Sequence, residues 1–330
     1  MAKDRGPGIE RASSRLLAGW VAAIALFAFA LAHLSALSTP APRSSRPTPV
    51  RLPPPAAIPR SHRSHVAVVV MENKSYRQVI GSSAAPYINR LSRRYGLATR
   101  FFGVAHPSLP NYLALTAGST LGVRRDCTGC QFDGANLATQ FDAADLSWKA
   151  YVAGVPRRCY QGSRVPGFYR KALNPFVYFD SVTDDPELCS RIVPTLRLNR
   201  DLRSGSLPAF SWITPSLCED THACGVGAGD RYLARLIPAL RRGLGPHGVL
   251  FVLWDEGTSS HGCCGRPGGG HVPAIVIGPD VRPRGRTAVA LNDYSVLRTL
   301  EAAFELPPLG HARAASHALA SLFLRPLDFA

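Results

Sequence analysis

His65-Val-Ala-Val-Val-Val-Met71, followed directly by Glu72 and Asn73, is the stretch that decides the fold. A continuous apolar run rich in β-branched valine suits a strand buried on both faces, which is the environment of a parallel sheet covered by helices. Gly248–Trp254 (GVLFVLW) repeats the pattern and runs straight into Asp255-Glu256. Leu207–Ile213 (LPAFSWI) and His271–Ile277 (HVPAIVI) read as two further strands. Between them lie segments of helical spacing: Ala85–Tyr95, with Tyr87, Leu91 and Tyr95 on one side, Asp230–Arg242, and Tyr294–Phe304. In Asp230–Arg242 an acid at the start and arginines at the end complement the helix dipole. Strands alternating with helices give an α/β fold, a mostly parallel central sheet with helices on both faces.

Polar residues gather where these strands end. Glu72 and Asn73 follow the first, Asp220 and His222 lie beyond the second, and Asp255 and Glu256 follow the third; His271, at the start of the fourth, joins them as a candidate ligand. Open α/β sheets bind ligands at that edge. Carboxylates crowded there repel one another unless a cation neutralises them. Oxygen donors with imidazoles suit one or two divalent ions, Zn, Mn, Fe or Ca, rather than a thiolate site. Each residue also has a local reading: Glu72 as a helix cap, Asp255-Glu256 as a turn, His271 as a satisfied strand histidine. Their joint recurrence at strand ends favours a site. Ser108 stands in His106-Pro-Ser-Leu-Pro-Asn-Tyr112, between two prolines and ahead of an apolar stretch. A serine there is a helix N-cap or a nucleophile. As a nucleophile it needs a base or a metal, and the chain has no GxSxG elbow.

The 330 residues carry 38 Lys and Arg against 22 Asp and Glu, a net charge of +16. Residues 1–65 hold nine basic and two acidic residues, so +7 of it sits in a fifth of the chain and +9 in the rest. No basic helix, zinc finger or aromatic RNA-binding signature accompanies the charge, so no nucleic-acid partner is expected. With 46% hydrophobic residues the chain can build a large core. Leu16–Leu37 is a 22-residue apolar run preceded by Arg5, Arg11 and Arg15. Residues 1–37 therefore read as a signal peptide or an uncleaved signal anchor, and both imply export, with the mature protein secreted or membrane-anchored. Residues 38–64 are a Pro/Arg-rich linker with no acidic residue, and their arginines suit an anionic membrane surface. Residues 65–330 read as the folded domain, which carries the candidate site. Eight cysteines fit an oxidising compartment, with Cys127–Cys130, Cys159–Cys189 and Cys218–Cys224 as the favoured pairs and Cys263 and Cys264 left open. Nothing in the sequence sets an oligomeric state.

As a set, MENKSY (Met71–Tyr76), HPSLPNYLALTAGS (His106–Ser119), ITPSLCEDTH (Ile213–His222), WDEG (Trp254–Gly257), HVPAIVIGP (His271–Pro279) and YSVLRTLEAAF (Tyr294–Phe304) resemble the bacterial and fungal phosphoesterase family. That family holds acid phosphatases and phospholipase C enzymes within the alkaline phosphatase superfamily, and the motifs follow its order over roughly residues 65–325. The resemblance implies an alkaline phosphatase-like core and a metal-bound Ser108 that forms a phosphoseryl intermediate. It implies Glu72, Asn73, Asp255 and Glu256 as ligands next to Ser108, and Asp220, His222 and His271 at a second metal position. Asn111 would stabilise the phosphoryl oxygens, and His222 or His106 would protonate the leaving alkoxide. The family's usual His before Asn-Pro and before the last-helix Tyr are replaced by Leu173 and Asp293, which bears on substrate contacts and proton donors. The implied function is an exported phosphomonoesterase of acid phosphatase type acting on small phosphate esters. The alternatives are a phospholipase C-type diesterase acting on lipid headgroups and a catalytically inactive envelope-binding protein.

Overall fold

Val66–Met71 forms β1, every residue of it buried, as its unbroken valine run requires. A computed structural model describes residues 65–263 and 267–325. The expected export segment and linker, residues 1–64, lie outside the described residues. Among the described residues no helix is long and apolar enough to cross a membrane.

In chain order the main strands are β1, β2 (Gly96–Phe102), β3 (Trp148–Val152), β4 (Ile192–Pro194), β5 (Phe210–Thr214), β6 (Val249–Trp254) and β7 (His271–Ile277), with short β8 (Arg286–Thr287) and β9 (Leu291–Asn292). They form one sheet in the order β8-β2-β7-β6-β1-β5-β3-β4, with β9 also pairing β2. All pairings are parallel except those of β7, which runs antiparallel to both β2 and β6. The mostly parallel α/β fold is therefore as the strand pattern indicated, with β7 reversed. That reversal puts His271, the first residue of β7, at the edge where the other strands end.

Two strands carry no clear sequence signal. Gly96–Phe102 reads GLATRFF and mixes buried with half-exposed positions, and Trp148–Val152 holds a lysine in WKAYV. Both pair with hydrophobic neighbours, and this tertiary setting outweighs their weak local pattern.

The helices that matter for the site are α1 (Pro86–Arg94), α2 (Ser108–Ala117), α3 (Gly225–Gly243) and α4 (Asp293–Ala303). α1 packs on α3, and α2 on α4. α3 begins at Gly225, ahead of the expected Asp230. Asp230 lies within the helix and accepts hydrogen bonds from Tyr87 N (3.2 Å) and Ile88 N (2.8 Å), capping the start of α1 instead of its own helix. α2 is buried along its whole length and ends at Gly118, whose φ of 67° fits the left-handed cap position. Disulfides join Cys127–Cys130, Cys159–Cys189 and Cys218–Cys224, and Cys263 is also disulfide-bonded.

Candidate active site

Register builds the centre. β1 and β6 are neighbours with Met71 opposite Trp254, so Glu72 and Asp255 leave the sheet side by side. The ladder continues one step further, with Asp255 N donating to Met71 O at 3.0 Å. The chain then turns sharply at Asn73, which holds φ 56° and donates its backbone N–H to Asp255 Oδ1 at 3.0 Å. On the other side of β1, the segment after β5 brings in Asp220, whose carbonyl accepts Glu72 N at 2.7 Å. Thr221 follows at φ 82°, a conformation that costs a β-branched residue dearly. Two contacts hold it there: its hydroxyl donates to Glu72 O at 2.6 Å and accepts from Trp254 Nε1 at 3.1 Å. His222 N donates to Asp220 Oδ1 at 2.7 Å.

Helix α2 delivers the hydroxyl. Ser108 is its first residue, with Pro107 in the cap position, so the serine does not act as the N-cap. Its Oγ donates to Glu72 Oε2 (3.0 Å) and Glu256 Oε1 (3.3 Å). One helical turn on, and so on the same face, Tyr112 OH donates to Glu72 Oε1 at 2.9 Å. Asn73 Nδ2 lies 3.2 Å from both Glu256 Oε1 and His222 Nδ1. His222 Nδ1 is 3.5 Å from Glu72 Oε2. His106 Nδ1 contacts Glu256 Oε2, and its Nε2 faces Ser259 O at 3.0 Å.

The electrostatics are those of an over-filled acidic site. Burial pushes Glu72 up to about 8, with Asp255 and the two hydroxyl donors pulling it down and Asp220 adding to the rise. Burial takes Asp220 to about 7 and holds Asp255 well above the carboxylate range, reinforced by Glu72 and Glu256. Glu256 is also raised by burial, with His106 opposing. Burial works against the His106 imidazolium, but the Ser259 carbonyl and Glu256 outweigh it and raise its pKa.

Two of the sequence-marked residues have other partners. Asn111 Oδ1 accepts from Val104 N (2.8 Å) and Ala105 N (2.9 Å), and its Nδ2 donates to Ala105 O (2.9 Å) and Pro107 O (3.2 Å). Both amide protons are spent on the loop before Ser108, so Asn111 braces that loop instead of pointing a donor at a phosphoryl group. His271 stacks on Tyr76 with ring centroids 4.4 Å apart and places Nε2 2.9 Å from Thr99 O. Tyr112 and Thr221 belong to the site but were not singled out in the sequence, and Asp293, noted there only as standing in place of the family's usual His, belongs to it as well. Asp293 is fully buried and supports the same loop, accepting Val104 N at 3.1 Å. The signals were there: Tyr112 is four residues after Ser108, and Thr221 lies between Asp220 and His222.

With this geometry in view, the profile of the Phosphoesterase family matches residues 82–307. The chain belongs to the phosphoesterase family. Among the relatives of this phosphoesterase is phosphatidylinositol-3-phosphatase of Mycobacterium tuberculosis, 31% identical over 255 residues, which are 76% of this chain and 79% of that protein. Another is the phosphate-repressible acid phosphatase of Penicillium chrysogenum, 29% identical over 68% of this chain, and there the match spans about half (55%) of the fungal protein. In fold, the chain is similar to a protein of the alkaline phosphatase superfamily from Vibrio parahaemolyticus, with a TM-score of 0.51 and 15% identity over 75% of this chain and 67% of that one.

Proposed function

We propose that this phosphoesterase is an exported, metal-dependent phosphomonoesterase with Ser108 as its nucleophile. One observation carries the reading: the Ser108 hydroxyl, at the start of a buried helix, bonds to two carboxylates that reach it from the ends of β1 and β6. The names of the relatives support phosphate esters as the substrate class, and the described disulfides support an oxidising compartment.

Among the described residues no group of three His, Cys, Asp or Glu side chains is arranged to hold a metal ion as it stands. The donor set is nevertheless one that fits a hard cation. Asp220 Oδ2 and Asp255 Oδ2 are buried with no hydrogen-bond partner, and the clustered carboxylates are forced toward protonation. Glu72, Asn73, Asp255 and Glu256 would hold such an ion beside Ser108, with Asp220 and His222 adjoining. When bound it would supply positive charge that neutralises the cluster and lowers the pKa of the serine hydroxyl. The residues do the rest. Glu72 or Glu256 accepts the Ser108 proton as Oγ attacks phosphorus and the ester P–O bond breaks. His106, whose protonated form the Ser259 carbonyl and Glu256 favour against burial, would protonate the departing alkoxide, and His222 is the other imidazole in reach. Water then cleaves the phosphoserine, with the proton path reversed. Asn111 and Asp293 keep the loop that carries His106 in place.

The test is a panel on purified protein with 4-nitrophenyl phosphate and bis(4-nitrophenyl) phosphate, with and without chelator. Monoester turnover that is lost in chelator, restored by a divalent ion and abolished in Ser108→Ala supports the reading. Wild-type turnover in Ser108→Ala, or activity indifferent to thorough metal removal, refutes it.

A further inference from the structure

A cavity of about 810 Å³ lies away from the carboxylate cluster. Arg90, Arg93, Arg94, Arg241, Arg284 and Arg286 line it, and among the described residues no acidic side chain does. All six arginines are exposed, and among the described residues no ion pair engages any of them.

The cavity lies at the opposite edge of the sheet. Tyr95, in its wall, precedes β2, and β2 begins opposite the end of the reversed β7. The catalytic residues follow the other end of the strands, one strand length or roughly 20 Å away.

Helix dipoles account for part of the charge, because Arg93 and Arg94 end α1 and Arg241 ends α3. They do not account for Arg284 and Arg286, which come from the connection after β7. That connection is tied to α1: Arg284 N donates to Arg94 O at 3.0 Å, and Arg286 Nη1 donates to Tyr95 O at 3.2 Å. Aromatic rings order the guanidinium groups in advance. Arg94 and Arg241 lie over the Tyr95 ring at 5.3 and 5.4 Å, and Arg90 over Tyr87 at 5.4 Å. Three separate elements thus converge unneutralised cations on one concave site of ligand-binding size. Guanidinium forks suit phosphate oxygens.

We infer that this arginine cavity binds a compact anion bearing several phosphate groups, free in solution or as clustered headgroups of an anionic lipid surface, at a site separate from the catalytic one.

The probe is sodium tripolyphosphate, titrated by calorimetry in chelator into the full chain carrying Ser108→Ala, so that the probe is not consumed. Binding should weaken with added salt. It should fall at least tenfold in an Arg90→Gln/Arg94→Gln/Arg241→Gln variant and by less in Arg284→Gln alone. With Ser108 restored, the same arginine variants should hydrolyse 4-nitrophenyl phosphate as the wild type does, which also shows that they fold. Flotation with phosphatidylcholine vesicles, with and without phosphatidylserine, separates the sources. If the variant loses the phosphatidylserine-dependent part of binding, the ligand is a lipid surface. If vesicle binding is unchanged while tripolyphosphate affinity drops, it is a soluble anion. Equal tripolyphosphate affinity in wild type and triple variant, orthophosphate binding as tightly as tripolyphosphate, or displacement of the probe by a short DNA duplex at lower concentration would each overturn the inference.

Discussion

Replacing Thr221 by Val removes one hydroxyl and keeps the shape. The residue is fully buried at φ 82°, and its methyl packs so closely on Gly229 that a Cβ there would lie 2.3 Å from it. Both residues are β-branched, so the backbone strain is common to wild type and variant. What is lost is the shared partner of Trp254 Nε1 (3.1 Å) and Glu72 O (2.6 Å). Leaving a buried donor and a buried acceptor unpaired costs about 1–3 kcal/mol each, and the added methyl returns about 1 kcal/mol. The expected net loss is about 1–5 kcal/mol, which lowers Tm by roughly 2–20 °C in a domain of this size. Because the Thr221 bond fixes the backbone of Glu72, kcat/KM for 4-nitrophenyl phosphate should fall roughly 10–100-fold, the range seen when groups supporting a metal ligand are removed. Thr221→Ser keeps the hydroxyl and should lose only about 1 kcal/mol for the methyl. Thermal unfolding and steady-state kinetics of the two variants decide the matter. A Thr221→Val protein within 2 °C of wild type and fully active, or a Thr221→Ser protein equally damaged, would show that the hydroxyl does not organise Glu72.

Asn111→Asp keeps both acceptor bonds to Val104 and Ala105, so kcat/KM should fall less than in Asn111→Ala, where the loop shifts and roughly 100-fold is at stake. A direct phosphate contact would reverse that order, because Asp repels the substrate. Burial raises Glu301 from 4.5 to about 7 despite the Leu309 N–H and nearby arginines, so the folded state holds its proton more tightly than the unfolded state. Its contribution is most favourable below pH 4.5 and is lost as pH rises through 7. Between pH 5 and pH 8 wild type should therefore lose about 3 kcal/mol relative to Glu301→Gln, measured by urea unfolding at both pH values; parallel pH dependences would refute this. Gly118→Ala should unfold earlier, because φ is 67° and a Cβ would lie 2.3 Å from Leu309 O. A denaturation midpoint equal to wild type would contradict that geometry.

Much of the centre could be read because it sits at strand ends. The runs at Val66–Met71 and Val249–Trp254 are so apolar that their location in the sheet is hard to mistake, and Glu72, Asp255 and Glu256 follow from it by adjacency alone. Ser108 was visible through its two prolines, although a serine at a helix start looks the same whether it caps or reacts; in the structure Pro107 takes the cap position and Ser108 Oγ bonds to Glu72 and Glu256. Asn111 was legible as polar and close to Ser108, but side-chain direction depends on where the preceding loop folds, and that loop consumes all its hydrogen-bonding capacity. Asp230 misled for a related reason: an acid before a helical pattern resembles a cap, and here it caps a different helix, 142 residues away in sequence. The reversed direction of β7 has no signature in HVPAIVI, since a strand buried on both faces looks alike in either direction.

The Cys218–Cys224 bridge joins residues six apart and encloses Asp220, Thr221 and His222. The strained turn that orients Glu72 therefore lies inside a small covalent ring. In a reducing compartment the ring opens and the turn is held only by its hydrogen bonds; oxidation closes it again. Assembly of this arm of the site is thereby linked to the thiol balance of its surroundings, so that completing the carboxylate cluster becomes a maturation step as well as a folding step.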